Sequence, residues 1–340
     1  MTRTLDPFAS RLPVTVVTGF LGSGKTTLIN RLLARPELAD TAVIVNEFGE
    51  VGLDHELIRF ASEKMLLLES GCVCCALRGD LEQALHDLYL ARRSGEIPSF
   101  QRVLLETTGL ADPGPVIQTL ISDRTIEGIY RLNAVVTLVD TVNAPSQLEH
   151  QPEAVKQAAV ADRHVFTKSD LVSPDALAAV RAAIAGINPG APGTVAVNGE
   201  VDPEFILAAG IASRRPEAVR VEQWLGAPLL APRTHAQAHP GVESFCLRFE
   251  RPFSWAGLEN CLEVLRSLRG PDLLRVKGLV NVEGEPGPVV IQGVQHIFHP
   301  PVTLDAWPGE DHGSRIVFIT RGIKQAVIEN LFNAIAAAVT

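Results

Sequence analysis

No run of this chain approaches the roughly 20 uninterrupted apolar residues that a membrane helix needs. Its start also lacks the basic-then-apolar pattern of a signal peptide. The cytoplasm is therefore the expected compartment, and no membrane contact is expected. Positive charge is not in excess either. Lys and Arg total 30 against 39 Asp and Glu, a net charge of -9, which argues against a general binder of nucleic acid or acidic membranes. Cysteine is scarce and badly placed for cross-links. There are five, an odd number, and Cys72, Cys74 and Cys75 stand too close in sequence for ordinary pairing. Internal repeats and long low-complexity tracts are absent. What remains is an ordinary globular composition, 46% hydrophobic and 20% charged, in 340 residues. That length exceeds what one hydrophobic core usually serves, so two domains are expected.

The stretch from Gly19 to Thr26, Gly-Phe-Leu-Gly-Ser-Gly-Lys-Thr, matches the phosphate-binding pattern GxxxxGK[ST] at every fixed position. A β-branched run, Val14 to Val17, precedes it, and Leu28, Ile29, Leu32 and Leu33 follow at helical spacing. Strand, glycine loop and helix are the context in which the pattern works, because backbone N–H groups and a positive helix N-terminus are then aimed at phosphates. Gly22, Ser23, Gly24, Lys25, Thr26 and Thr27 are the expected cradle. Lys25 would reach the β- and γ-phosphates and the Thr26 hydroxyl would ligate magnesium.

Further apolar runs alternate with helical patterns. Ala42 to Val45 reads as a buried strand leading into a polar loop from Asn46 to Asp54, and Met65 to Leu68 as another leading into Gly71-Cys72-Val73-Cys74-Cys75. Val103 to Leu105 ends in Glu106-Thr107-Thr108-Gly109, the form of a magnesium-side carboxylate followed by a γ-phosphate-sensing glycine. His164 to Phe166 is closed by Thr167-Lys168-Ser169-Asp170. In guanine-nucleotide proteins an Asn-Lys-x-Asp segment stands at such a strand end, its Asp accepting hydrogen bonds from the guanine ring N–H and amino group. Thr167 takes the place of Asn, and Lys168 and Asp170 are kept. Asn198, after a last strand at Val195 to Val197, is a further candidate for base contact. Alternation over residues 13 to 200 requires a mostly parallel sheet covered on both faces. The expected organisation is a P-loop nucleotide-binding α/β domain over residues 1–225, a Pro-, Ala- and His-rich linker over 226–242, and a smaller α+β domain over 243–340.

The Cys-x-Cys-Cys run supplies up to three thiolates toward a tetrahedral zinc site that a carboxylate or imidazole would complete. Buried free thiols and a redox pair are open alternatives. Cys246 and Cys261 fall on a strand and an amphipathic helix and are expected in a core. His235 with His239, and His296 with His299, have spacings that could bind metal on a helix, but solvated histidines are the simpler reading.

Together, Thr18 to Thr27, Asn46-Glu47-Phe48-Gly49-Glu50, Gly71 to Cys75, and Glu106 to Pro113 resemble the CobW family of P-loop GTPases, most closely its YjiA branch. The resemblance extends through Arg275 to Gly278, Gln292 to Val294 and Arg315 to Ile319 into a CobW-type C-terminal domain. It implies a GTPase that binds zinc, or a related divalent metal such as cobalt, and delivers it to a metal-dependent client protein through the C-terminal domain. On this reading Lys25, Glu106 and Glu47 are catalytic, with Glu47 also joining Cys72, Cys74 and Cys75 around zinc and coupling metal occupancy to nucleotide state. Gly109 reports the γ-phosphate, and Lys168, Asp170 and Asn198 hold the base. No glutamine stands two positions after Gly109 to orient water, so intrinsic turnover is expected to be slow. The water-positioning residue is unassigned, with Asp54 and Glu50 as weak candidates. Whether two copies form a homodimer stays open, as do a P-loop ATPase or kinase acting on a small molecule, and a non-enzymatic zinc-binding interaction module.

Overall fold

The computed structural model describes residues 11–45, 57–60, 66–67, 79–207, 210, 218–226 and 239–338. The chain divides into two units, one of Met1–Val180 with Gly193–Gly210 and the other of Arg181–Pro192 with Ile211–Thr340.

The first unit is built on an eight-stranded sheet. Its strands are β1 (Leu12–Gly19), β2 (Thr41–Val45), β3 (Leu57–Phe60), β4 (Leu66–Leu67), β5 (Arg102–Glu106), β6 (Tyr130–Asp140), β7 (Arg163–Thr167) and β8 (Gly193–Ala196). They lie in the order β4-β3-β2-β5-β1-β6-β7-β8. The six from β2 to β8 in that order run parallel, while β3 and β4 add an antiparallel edge. A parallel strand is covered on both faces and so is apolar throughout rather than alternating. β2 shows this directly, with all of Thr-Ala-Val-Ile-Val buried. The helices are α1 (Lys25–Leu33), α2 (Gly79–Ser94), α3 (Gly114–Ser122), α4 (Arg124–Ile129), α5 (Ala144–His150), α6 (Pro152–Val160), α7 (Pro174–Ile187), whose residues from Arg181 are counted with the second unit, and α8 (Pro203–Leu207). Leu28, Ile29 and Leu32 of α1 join Val17, Val43, Leu104, Val136 and Val165 in a core with no access to solvent beyond a trace. The P-loop α/β fold expected from the alternation is thus the one observed.

Three features of this unit differ from the sequence reading. The edge strand β3 stands between the apolar runs Ala42 to Val45 and Met65 to Leu68, where the sequence predicts no strand. Its Leu-Ile-Arg-Phe sequence is four residues long and carries a charge, which leaves no periodic signal. Of the Met65 to Leu68 run, the described strand comprises Leu66 and Leu67, antiparallel to β3. Helices α5 and α6 were not foreseen, although each has a proline in its first turn, where the missing N–H is not needed.

The second unit holds α9 (Ala218–Leu225), β9 (Val242–Phe249), α10 (Trp255–Arg269), β10 (Leu273–Val280), β11 (Val289–Val294), β12 (Ile297–Phe298), β13 (Val302–Thr303), β14 (Ser314–Arg321) and α11 (Gln325–Ala338). Its sheet is antiparallel, in the order β12-β11-β10-β14-β9, with β13 beside β11. The Ser254 hydroxyl caps α10 by accepting from Gly257 N at 3.1 Å. Phe245, Leu258, Ile291, Phe318 and Phe332 form the core. Cys261 is fully buried among them, as expected, and burial pushes its thiol up to about 12. Cys246 is only half-buried. On the other face of the sheet, Val221, Trp224 and Leu225 of α9 pack with Leu279, Val290 and Leu304, and the Lys277 ammonium donates to the Trp224 carbonyl at 3.0 Å.

Candidate nucleotide site

Parallel pairing brings the carboxyl ends of six strands, β2, β5, β1, β6, β7 and β8, to one edge, where Val45 of β2 aligns with Glu106. Register aligns Val17 with Glu106, Gly19 with Leu138, Asp140 with Thr167, and Thr167 with Ala196. Ligands of open α/β sheets collect at this edge, and nearly every sequence-predicted nucleotide residue leaves the sheet there.

Between β1 and α1 the chain makes the phosphate loop. Gly22 and Gly24 take φ of 74° and 90°, the left-handed region that L side chains rarely adopt. Gly24 is the N-cap of α1 and supplies no side-chain cap, and the first turn holds no acidic residue. The opening N–H groups of the helix are thus left for an external acceptor. Lys25 is buried, with its ammonium 2.9 Å from the Gly19 carbonyl and 3.3 Å from that of Phe20. Thr26 and Thr27 are exposed.

The Thr26 hydroxyl donates to Glu106 Oε1 at 2.7 Å, and Glu106 is only 1% exposed. A hydroxyl and a carboxylate held together are hard oxygen donors of the kind magnesium prefers, so this pair fits that ion. The following loop is fixed at its start by Thr107, whose N–H donates to Val17 O at 3.0 Å and whose hydroxyl donates to Thr18 Oγ1 at 2.8 Å. Gly109 rests on the phosphate loop so closely that a Cβ there would lie 2.5 Å from Leu21 Cα. No residue but glycine fits that approach.

The base-side segment is tied to the same loop. The Thr167 hydroxyl donates to the Ser23 carbonyl at 2.8 Å, so the residue that stands where Asn was expected still braces the phosphate loop. Lys168 is left-handed, with φ 56°, and its ammonium is 2.7 Å from Asp140 Oδ2. Asp170 is exposed on a short 3-10 turn, Ser169–Leu171. Asn198 is also exposed and left-handed, its carbonyl accepting from Arg31 Nε at 3.3 Å.

Two residues here carried no functional signal in the sequence. Asp140 is buried, and besides Lys168 it accepts from Val142 N at 3.0 Å, Asn143 N at 3.3 Å and Asn143 Nδ2 at 2.8 Å. Gln157, on α6, is treated below. Burial alone would raise the Asp140 carboxyl, but hydrogen bonds from Lys168 and Asn143 and the nearby ammonium outweigh it and hold the group below its ordinary value. A carboxyl lowered by folding stabilises above its unfolded value of about 4, and that contribution is lost as pH falls through the folded value. Asp140→Asn is therefore expected to melt a few degrees below the parent at neutral pH, with the gap closing as pH is lowered below about 4. Thermal melts of the two proteins across that range check this; a gap independent of pH would refute it.

The candidate zinc residues Glu47, Cys72, Cys74 and Cys75 lie outside the described residues, as do Glu50, Asp54 and His235. Among the described residues no group of three or more His, Cys, Asp or Glu side chains could hold a metal ion. His239, His296 and His299 are accordingly not brought into such a group. No described helix is long and apolar enough to cross a membrane.

Comparison with known proteins agrees with this architecture. Residues 13–194 match the family model described as CobW/HypB/UreG, nucleotide-binding domain, and residues 242–336 match the cobalamin synthesis protein cobW C-terminal domain. The chain is 33% identical over 317 residues to the zinc chaperone YjiA of Escherichia coli, covering 91% of this chain and 93% of that protein. It is 31% identical over 359 residues to the zinc chaperone CobW of Pseudomonas aeruginosa, covering 94% and 90% respectively. The crystal structure of Zn(II)-bound YjiA GTPase from Escherichia coli superposes with a TM-score of 0.73 at 30% identity, covering 96% of this chain and 99% of that one.

Proposed function

This chain belongs to the CobW/HypB/UreG family, and from that premise we propose that it hydrolyses GTP and couples hydrolysis to the binding of zinc and its transfer to a client protein. One observation carries the nucleotide half of the reading: the Thr167–Ser23 bond at 2.8 Å joins the base-side segment and the phosphate loop into one cradle. In that cradle Lys25 and the opening N–H groups of α1 bind the phosphates, while Asp170, with the stem of Lys168 beneath it, accepts from guanine. Thr26 and Glu106 would hold magnesium, which neutralises charge on the β- and γ-phosphate oxygens. Hydrolysis at the γ-phosphate is sensed through Gly109, whose backbone already touches the phosphate loop. Glu47, two positions after β2 in the sequence, is the proposed link to zinc.

The metal half rests on the thiolates of Cys72, Cys74 and Cys75 and on relatives named as zinc chaperones. The GTPase is assigned to the unit that holds β1 to β8 and client recognition to residues 243–340; α9, expected with the GTPase residues 1–225, belongs to the second unit and packs on its sheet. Thiolate-rich sites also accept cobalt, so zinc is the choice of supply as much as of ligand.

The test measures zinc content and GTP turnover, with and without added zinc, for the parent and for Cys74→Ser/Cys75→Ser. The parent is expected to hold zinc and to change its turnover severalfold on zinc addition. The double variant should lose both responses and keep its GTP affinity. Zinc content and zinc response that both persist would remove the cluster from the metal site.

A further inference from the structure

The loop from Thr107 to Asp112 is held at both ends by different elements. Its start is sewn to β1 through Thr107, as described above. Its end is held by two consecutive residues of α6. Gln157 Nε2 donates to the Gly109 carbonyl at 3.3 Å and to the Ala111 carbonyl at 3.1 Å, and Lys156 Nζ lies 3.1 Å from Asp112 Oδ2. Two carbonyls facing one end of the amide identify that end as the nitrogen, since an amide oxygen has nothing to donate. The arm is anchored at its base as well, because the Thr137 hydroxyl of β6 donates to the Gln157 backbone carbonyl at 2.7 Å. Gln157 is 1% exposed, and no described residue donates to its Oε1. A buried acceptor left without a donor is costly. The amide is therefore oriented by what its nitrogen does for the loop and not by optimal burial of the whole side chain. Between the two anchors Leu110 is 59% exposed, so the segment is fixed by its ends and by the contact of Gly109 with Leu21.

We infer that Gln157 is a positioning residue for GTP hydrolysis: it holds Gly109 against the phosphate loop from α6, with Lys156 as its outer support, and so sets how the enzyme tells GTP from GDP. This rests on the reading of Gly109 as the γ-phosphate sensor. It goes beyond that reading by assigning the sensor's geometry to a helix 48 residues away in sequence.

The experiment measures kcat and KM for GTP, with affinities for GDP and for a non-hydrolysable GTP analogue, in the full-length parent, Gln157→Ala and Lys156→Ala. Losing both loop bonds should lower kcat about tenfold, a size typical of two neutral hydrogen bonds. The same variant should bind the GTP analogue several-fold more weakly while its GDP affinity stays within about twofold of the parent. Lys156→Ala, altered at a partly exposed ion pair, should show the same pattern at about twofold to threefold. If Gln157→Ala loses GDP and GTP-analogue affinity equally, Gln157 serves folding alone and the inference fails. If Gln157→Ala does not fold, Lys156→Ala decides, and parental kcat and nucleotide discrimination in that variant would overturn the inference. A parent that binds GDP and the GTP analogue equally would instead remove Gly109 as a γ-phosphate sensor, an outcome visible without any variant.

Discussion

Lys25→Ala is expected to lower kcat/KM for GTP by about 10³-fold or more, in line with the removal of a preorganised charge from developing negative charge. The size follows from where the ammonium sits. Lys25 is 7% exposed and its Nζ is held by the Gly19 and Phe20 carbonyls inside the loop it serves. A charge in so dry a setting interacts far more strongly with phosphate than one in water, and it is in place before the nucleotide arrives. Alanine would remove the charge and leave two loop carbonyls without that donor, so both binding and turnover should suffer. Lys25→Arg is expected to fall nearly as far, because a planar guanidinium cannot replace a compact ammonium seated between two carbonyls. Steady-state turnover and fluorescent GDP binding measure the two effects separately. Activity within tenfold of the parent in Lys25→Ala would mean that the loop does not hold the reacting phosphates.

The residues legible from sequence are those whose chemistry is local in the chain. The phosphate loop is one continuous stretch, its flanking strand and helix announce themselves by apolar runs and helical spacing, and Glu106 and Asp170 stand at strand ends that the same runs locate. The parallel sheet followed from their alternation. What could not be read are contacts made across the sheet edge between elements far apart in sequence. Gln157 lies 48 residues from Gly109, in a helix with a sequence that offers no reason to separate one buried glutamine from a solvated one. Asp140 marked only the end of a strand, although it organises the next loop and holds Lys168. Thr167 was legible as a departure from Asn, and its compensation was not, because the Ser23 carbonyl that its hydroxyl reaches is 144 residues away. The antiparallel strand β3 was missed for a different reason, since four residues with a central arginine carry no period.

Asp170→Asn is expected to weaken GTP binding by at least about 10²-fold and to turn the site toward xanthosine triphosphate, whose ring presents a carbonyl where guanine presents an amino group. A carboxylate only accepts hydrogen bonds, so Asp170 can take both the ring N–H and the amino group of guanine; an asparagine amide replaces one acceptor with a donor and sets it against that amino group. A site built to bond a particular edge rejects the wrong one by up to about 10⁴-fold, because polar groups are then buried unpaired. Asp170 is suited to such a role because it is exposed on its turn, while its neighbours are not free to adjust. Lys168 is held by Asp140 at 2.7 Å and Thr167 by Ser23 at 2.8 Å, so the segment cannot shift to offer another acceptor. The same rigidity separates this substitution from Lys25→Ala: hydrolysis of bound xanthosine triphosphate should proceed at close to the parental kcat for GTP, since the phosphate loop, Thr26 and Glu106 are untouched. Competition of GTP, ATP and xanthosine triphosphate for the parent and the variant measures this directly. Unchanged GTP affinity in Asp170→Asn would take the base away from this strand end, and a parent that prefers ATP would replace the guanine reading with that of an adenine-nucleotide enzyme.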